Sequence, residues 1–333
     1  MKKTLTVLLL LAVTAMVYGQ KPILKFKSDG NFKIIQFTDV HYKKLMKESE
    51  VAIQLINEVL DAEKPDLVVF TGDVIWAKPV LEGLDDVFDP VSKRGIPWAY
   101  VFGNHDDEFG FSRVQLMDYA SQKPYCLAQA GDKSLSGVGN YILEVRSAAK
   151  QDSVGSVLYF FDSGAYAPIK KIGGYDWLKL NQVNWYSEQS AAYTKANNNS
   201  PLPALAFFHI PLAEYPIMKN SENAQIIGSK DEKECNGRLN TGMFAAMRQA
   251  GDVMGTFVGH DHNNDYIGEY FGIYLAYGRF SGGKTVYNDL GKNGCRVIEL
   301  KEGKHEFSTY IRLLGGEKIY PVHYPETFKK EKK

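Results

Sequence analysis

The sequence predicts an α/β fold, and two observations carry this prediction. Short apolar runs typical of buried strands alternate with helix-like patterns between Phe32 and His262. The chain of 333 residues is 44% hydrophobic and 23% charged, and no long linker divides it. Because a chain of this length and composition can bury a large core, we expect one compact domain over residues 20–325, followed by a basic tail over 326–333.

Five apolar runs are the predicted strands of this fold. They cover residues 32–37, 66–72, 98–103, 204–208 and 253–259. Between the first two runs, apolar residues recur at helical spacing from Val51 to Leu60, and Pro65 ends the pattern. An amphipathic helix is therefore expected to join two parallel strands. Further helices are predicted over 111–121, 177–195 and 241–250.

The pattern changes after His262 to short strands separated by glycine-rich turns. These strands are expected within residues 267–278, 294–300 and 305–314. Closely spaced strands with such turns are typical of antiparallel pairing. We therefore predict that they close a second sheet.

The first nineteen residues have the pattern of a cleavable signal peptide. Lys2 and Lys3 precede an apolar run over residues 5–17, and the small residue Gly19 follows. We therefore expect cleavage near Gly19 and a secreted or periplasmic protein. No second long apolar segment follows, so stable membrane insertion after cleavage is not expected.

Charge and cysteine content exclude some partners. Lysine plus arginine and aspartate plus glutamate number 39 each, so a basic field that would favour nucleic acid is missing. Cys126, Cys235 and Cys295 are too widely spaced for a metal motif. One disulfide and three free thiols both remain open from the sequence.

Each of the five predicted strands ends in a polar cluster. Side chains that follow the carboxyl ends of strands in an α/β sheet converge on one edge, where ligand sites lie. Imidazole, carboxylate and amide groups suit zinc, manganese or iron, and a carboxylate such as that of Asp73 can bridge two cations. The clustered residues are Asp39, His41, Asp73, Asn104, His105, Asp106, His209, His260, Asp261 and His262.

In this order, the five clusters resemble those of the calcineurin-like metallophosphoesterases, and in particular a secreted branch labelled purple-acid-phosphatase-like. The resemblance implies a four-layer α/β/β/α sandwich of two mixed sheets flanked by helices. It also implies two divalent metal ions, manganese, zinc or iron, with His105 as the catalytic residue that does not ligate metal. By the same resemblance, the first metal would be held by Asp39, His41, Asp73 and His262, and the second by Asp73, Asn104, His209 and His260.

Two departures from relatives narrow the expected branch. The Ser/Thr protein phosphatases carry Gly-Asp-x-x-Asp-Arg-Gly, whereas Asp73 is followed here by Val-Ile-Trp-Ala. Purple acid phosphatases use a tyrosine where Trp76 stands, and an indole cannot ligate metal. We therefore expect neither protein phosphatase activity nor a purple tyrosinate colour.

The expected activity is hydrolysis of a phosphomonoester or phosphodiester by a hydroxide that bridges the two metals. The substrate would be a phosphate-ester small molecule or an exposed phosphate group, contacted by Asn104 and His105. Two alternatives remain: a phosphodiesterase or nuclease acting on nucleotides, and a catalytically silent metal-stabilised binding protein.

Several residues near the motifs have open roles. Arg279 could contact a substrate phosphate or form a structural ion pair. Asp106 could orient His105 or lie in a solvated loop, and Asp261 and Asp265 are expected in turns. Tyr42, Trp76 and Tyr215 could form an aromatic wall or pack in the core.

Overall fold

Two mixed β-sheets form the centre of the computed structural model, which describes residues 21–150, 152–220 and 225–329. The first sheet has six strands in the order β13-β12-β11-β1-β2-β3, and the second has seven in the order β4-β5-β6-β8-β10-β9-β7. The strands are β1 Asn31–Phe37, β2 Leu67–Thr71, β3 Trp98–Val101, β4 Tyr141–Arg146, β5 Val154–Phe160, β6 Ala204–Phe207, β7 Ile226–Ile227, β8 Val253–Val258, β9 Ile267–Tyr270, β10 Ile273–Tyr277, β11 Gly294–Lys301, β12 Phe307–Leu313 and β13 Lys318–Tyr324.

Helices flank the two sheets and connect the parallel strands. The α-helices are α1 Glu50–Glu63, α2 Val80–Ser92, α3 Arg113–Ser121, α4 Leu180–Ala196, α5 Glu214–Asn220 and α6 Met243–Ala250. Helix α1 packs on α2, and α4 packs on α6. Among the helices in the described part of the chain, none has both the length and the hydropathy of a membrane span.

The core has two parts, one on each face of the second sheet, and the side chains of β6 point alternately into one part and the other. Leu205 and Phe207 belong to a cluster that also contains residues of the first sheet and of α1 and α2. Ala204 and Ala206 belong to a second cluster with residues of α4 and α6. Because successive side chains of a strand point to opposite faces, the second sheet is packed on both faces. The layers are those of the predicted sandwich.

The structure confirms most of the predicted elements. The five predicted strands are β1, β2, β3, β6 and β8, and β1 pairs in parallel with β2. The helices predicted over 51–60, 111–121, 177–195 and 241–250 correspond to α1, α3, α4 and α6. The predicted signal peptide and residues 330–333 lie outside the described residues.

The predicted arrangement of the C-terminal strands is wrong in one respect. Strands β9 and β10 join the second sheet, but β11, β12 and β13 extend the first sheet through an antiparallel pairing of β11 with β1. This pairing is between residues far apart in sequence, so local turn signals do not report it. Phe328, within the predicted tail, is buried against Tyr274.

Candidate metal centre

The predicted ligand residues meet where strands of both sheets end. Asp39 and His41 follow β1, and Asp73 follows β2, both in the first sheet. His209 follows β6 and His262 follows β8, in the second sheet. Two groups have donor atoms that all lie within 4.8 Å of one another: Asp39 with His41 and His262, and Asp39 with Asp73 and His209. The two sheets therefore supply one cluster of oxygen and nitrogen donors.

Asp73 lies between two of the histidines of this cluster. Its Oδ2 atom is 3.5 Å from Nε2 of His41 and 3.3 Å from Nε2 of His209. On the other side, Oδ1 of Asp39 is 3.7 Å from Nε2 of His262. All these side chains are buried. The positions match a carboxylate shared by two cation sites.

Backbone carbonyls set the orientation of two histidines. Nδ1 of His209 is 2.7 Å from the carbonyl oxygen of Thr71, and Nδ1 of His262 is 3.0 Å from that of Tyr287. A carbonyl only accepts hydrogen bonds, so each Nδ1 carries the proton. In a neutral ring with the proton on Nδ1, Nε2 carries the lone pair that a cation would take, which is the usual arrangement of a metal-bound histidine.

Several buried polar atoms of the cluster have no hydrogen-bond partner among the described residues. They include Nε2 of His209, Nε2 of His260 and Oδ1 of Asn104. Leaving such an atom buried without a partner costs about 1–3 kcal/mol. Divalent cations would satisfy these atoms, and their chemical types suit manganese, zinc or iron. The residues present thus fit a candidate two-metal site.

The electrostatics of the cluster also favour a cation beside Asp73. Burial opposes ionisation of Asp73, but His209 and His41 outweigh burial and hold the pKa of Asp73 well below its usual value. Burial likewise opposes a charge on His209, but Asp73 and Asp39 raise the pKa of His209 to about 9. Burial lowers the pKa of His41 and His260 well below the usual value. These two rings are neutral, as metal ligands must be.

The backbone of the ligand loops is in an uncommon conformation. Asp39, His41, Asp73 and His260 have positive φ angles of 52°, 42°, 51° and 83°. Non-glycine residues rarely adopt this region, and such strain concentrates at functional sites. The strained loops follow well-ordered strands, so the sheets hold the donors in place.

Asp106 holds two of these loops together. Its carboxylate accepts hydrogen bonds from the backbone N–H groups of Asp73, Val74, Ile75 and Gly103, at 3.0, 2.7, 3.2 and 2.8 Å. Burial and the charge of Asp73 raise the pKa of Asp106 to about 6. Asp106 is buried, not solvated, and it fixes the backbone around Asp73.

Asp261 and Asp265 are also buried. The carboxylate of Asp261 accepts hydrogen bonds from the hydroxyl of Tyr277, at 2.6 Å, and from the backbone N–H of Cys235. Burial raises the pKa of Asp261 to about 7. The carboxylate of Asp265 forms an ion pair with the guanidinium of Arg279. Both carboxylates therefore hold surrounding segments to the loop that carries His260 and His262.

A pocket of about 360 Å³ opens over the cluster. Six of the predicted site residues line this pocket, together with Trp76: His41, Asp73, Asn104, His105, His260 and His262.

Some residues that line the pocket belong to none of the sequence motifs. Lys43, Tyr175 and Tyr287 line the wall, and Tyr287 stacks on His262 with ring centroids 4.4 Å apart. Tyr42 and Tyr215 are buried instead, and Tyr215 belongs to the second core cluster. Only Trp76 of the three predicted aromatic candidates therefore faces the pocket.

Arg279 forms the ion pair that was the alternative to a phosphate contact. Its side chain is buried, and Nη1 donates to Oδ2 of Asp265 at 2.6 Å. Nε and Nη2 donate to the carbonyl oxygens of Lys292 and Leu290. Every nitrogen of the guanidinium thus has a protein partner, and Arg279 is not among the described residues that line the pocket.

The three cysteines are free thiols in the structure. Cys126 and Cys295 are buried, and Cys235 is partly exposed. Burial raises the pKa of Cys126 and of Cys235 to about 12. Of the two alternatives open from the sequence, the structure shows free thiols.

Fold and donor cluster together define a metal-centred phosphoesterase architecture. The sequence model of the calcineurin-like phosphoesterase family matches residues 32–264. The chain therefore belongs to this family.

Curated relatives and solved structures agree with this assignment. The chain is 35% identical to probable inactive purple acid phosphatase 29 of Arabidopsis thaliana, over 83% of this chain and 77% of the relative. It is 33% identical to phosphatase DCR2 of Saccharomyces cerevisiae, over 90% of this chain and 58% of the relative. A dimetal phosphatase from Danio rerio shares the fold, with a TM-score of 0.60 at 13% identity, covering 88% of this chain and 98% of that structure.

Proposed function

We propose that this protein hydrolyses a phosphate ester at a centre of two divalent metal ions. The observation that carries the proposal is the convergence of buried donor atoms, several of them without a hydrogen-bond partner, beneath an open pocket. Two cations in such a cluster would lower the pKa of a water molecule to make a nucleophile, and would neutralise the phosphoryl oxygens.

The ligand assignment follows the family resemblance, and the distances support it. Asp73 would be shared, since it lies close to both His41 and His209. The first ion would be held by Asp39, His41, Asp73 and His262, and the second by Asp73, Asn104, His209 and His260. The identity of the ions, manganese, zinc or iron, is left to the experiment below.

His105 is the proposed catalytic residue. It lines the pocket beside Asn104, and its ring centroid is 5.5 Å from that of His41. A histidine in this position can donate a proton to the leaving oxygen and stabilise the charge that develops there. The substrate would be a phosphate-ester small molecule, or a phosphate group exposed on a larger molecule, contacted by Asn104 and His105.

Location and domain boundaries are proposed from the sequence. We propose that residues 1–19 direct export and that residues 20–325 form the catalytic domain. Secretion would give a phosphoesterase that meets substrates outside the cytoplasm.

A second candidate is a metal-binding protein without turnover. The names of the Arabidopsis relatives, which include the word inactive, favour it. The complete set of donor types in this chain and the open pocket favour catalysis. A phosphodiesterase acting on nucleotides is a variant of the main proposal, and the ratio of monoester to diester turnover distinguishes it.

The test uses protein stripped of metal and refilled in turn with manganese, zinc or iron. Turnover of para-nitrophenyl phosphate and its bis-ester is measured for the wild type, His209→Ala and His105→Ala. His305→Ala is the matched control, because His305 is exposed and lies outside the cluster.

Turnover that requires metal, is lost in the first two variants and persists in His305→Ala would support the proposal. Binding of two ions without turnover of either ester would overturn it in favour of the silent binding protein.

A further inference from the structure

Glu108 makes contacts that the family resemblance does not assign. Its Oε2 atom lies 2.9 Å from Nδ1 of His105 and accepts the indole N–H of Trp76 at 3.0 Å. Its Oε1 atom accepts the hydroxyl of Tyr166 at 3.2 Å. One carboxylate therefore contacts the proposed catalytic histidine and two aromatic residues around it.

We infer that Glu108 is a positioning residue, which holds Nδ1 of His105 so that Nε2 faces the substrate's leaving oxygen. The inference rests on the proposed function. Asp106, the carboxylate that the sequence offered for this role, is occupied by four backbone N–H groups. The role falls instead to an acid three residues after the histidine.

The contact between His105 and Glu108 is close but is not an aligned hydrogen bond. The separation from Glu108 is a hydrogen-bond distance, but the angle at Nδ1 departs from that of a hydrogen bond. Catalytic hydrogen bonds are often poorly aligned without substrate and tighten in the complex. Alignment of Nδ1–H with the carboxylate would leave Nε2 as the nitrogen available to the pocket.

Trp76 gives this arrangement its rigidity. Its ring lies 4.9 Å from that of His105 and 5.3 Å from that of His41, and the ammonium of Lys43 lies 4.3 Å from its centre. The residue that departs from the tyrosine of purple acid phosphatases thus packs against His105 and binds the same carboxylate. Trp76 and Glu108 act as one support.

The contacts of Glu108 continue to the opposite side of the site. Tyr166 stacks on Tyr175 with ring centroids 5.7 Å apart, and Tyr175 contacts His260 edge-on at 4.1 Å. The wall from His105 to His260 is therefore continuous. Of the residues along this wall, His105, Tyr175 and His260 also line the pocket.

The proton transfer that Glu108 supports balances without another reactant. A bond forms between phosphorus and a water oxygen, and the bond between phosphorus and the leaving oxygen breaks. The proton on Nε2 of the doubly protonated His105 ring passes to the leaving oxygen, while the Nδ1 proton stays directed at Glu108. The proton that the attacking water gives up restores Nε2–H and closes the cycle. Esters with alkyl leaving groups need this proton more than aryl esters do, because an alkoxide is the stronger base. Loss of the support from Glu108 should therefore slow the hydrolysis of alkyl phosphates more than that of aryl phosphates.

The test compares Glu108→Gln, which keeps the shape and removes the charge, with Asp107→Asn. Asp107 is the matched control because its side chain is also 33% exposed but pairs with Arg113. Turnover of glycerol phosphate and of para-nitrophenyl phosphate is measured for each protein. In Glu108→Gln, we expect kcat for glycerol phosphate, the alkyl ester, to fall about tenfold or more. For para-nitrophenyl phosphate, the aryl ester, kcat should fall less than about threefold, and KM should change little for both esters. Equal losses on both esters would overturn the inference.

A second readout does not need activity. The protonated ring nitrogen of His105 is identified by ¹H–¹⁵N spectroscopy of metal-free protein, with the signal assigned by its loss in His105→Ala. In the wild type and in Asp107→Asn, we expect the neutral ring of His105 to carry its proton on Nδ1. In Glu108→Ala, the population of this tautomer should change. An unchanged spectrum would overturn the inference. If the wild type hydrolyses neither ester, the proposed function fails, while this spectrum still decides whether Glu108 controls His105.

Discussion

The Nε2 atoms of His41 and His262 lie 2.9 Å apart, although 221 positions separate the two residues in the chain. At this distance one ring can donate an Nε2–H to the lone pair of the other, or both lone pairs can face a shared cation. Nδ1 of His262 is already engaged by the carbonyl of Tyr287, so its Nε2 is the lone-pair nitrogen. A cation held by both rings would link the loop after β1 to the loop after β8, so its binding should stabilise the fold.

Metal ions are accordingly expected to raise the melting temperature of the stripped protein. A ligand at about 100 times its Kd stabilises the folded state by about 2.7 kcal/mol, which corresponds to roughly 4 °C for a domain of this size. Differential scanning fluorimetry with added zinc or manganese measures the shift. It should shrink by at least half in His262→Ala and persist in His305→Ala, and equal shifts in both variants would contradict this assignment.

Gly103→Ala is expected to displace Asp73 and so to damage the centre. A Cβ atom at Gly103 would lie 2.1 Å from Oδ1 of Asp73 and 2.4 Å from its backbone nitrogen, so Asp73 must move. Displacing a group at the reaction centre by about 1 Å can cost 100-fold in rate. Metal content by mass spectrometry and kcat/KM should both fall.

The control for this substitution is Gly303→Ala, where a Cβ would meet nothing within 4 Å. Its positive φ of 72° should cost about 1 kcal/mol of folding free energy without changing metal content. Full metal occupancy in Gly103→Ala would show that the loop tolerates the extra carbon.

Arg279→Met should destabilise the protein and leave substrate binding unchanged. The substitution leaves Asp265 buried without its cationic partner, and breaking such a pair costs about 3–5 kcal/mol. Urea denaturation gives the free energy of unfolding, and KM for para-nitrophenyl phosphate gives the effect on binding. The double variant with Asp265→Asn should recover part of the stability. A tenfold rise in KM with unchanged stability would restore the phosphate-binding interpretation.

Glu63 is expected to make stability depend on acid pH. Burial opposes its ionisation, but hydrogen bonds from Lys33, Tyr310 and Lys318 outweigh burial and lower its pKa from 4.5 to about 2. Because the folded-state pKa lies below the unfolded value, this stabilisation is present above pH 4.5 and is lost as the pH falls towards 2.

The measurement is the free energy of unfolding of wild type and Glu63→Gln across this pH range. The variant should be less stable by about 2 kcal/mol at pH 7, with the difference vanishing near pH 2. Glu306→Gln, at an exposed ion pair with Lys304, should match the wild type throughout. A difference that does not change with pH would exclude charge as the cause.

Much of the site could be predicted because its residues lie at the ends of strands with strong local signals. The runs that became β1, β2, β3, β6 and β8 are apolar, and each is followed directly by a polar cluster. Convergence within each sheet follows from strand direction. The meeting of Asp39 and Asp73 with His209 depends in addition on how the two sheets pack against each other.

Other features depend on contacts that sequence patterns do not encode. Helix α2 was not predicted, because it contains Pro90 and Gly83 and begins after Pro79. The contact of Glu108 with His105 depends on how one short loop turns after Asn104. The positive φ angles of Asp39 and Asp73 arise from tertiary packing, since neither residue type requires them.

The division of the ligands between the two sheets has a consequence for biosynthesis. The donors begin at Asp39 and are not complete until His262, so about four fifths of the polypeptide must leave the ribosome before the last one is available. A nascent chain that ends before β8 carries only the half of the centre contributed by the first sheet and β6. Under the proposed ligand assignment each ion takes a donor from the loop after β8, so neither site would be complete before that loop has been made.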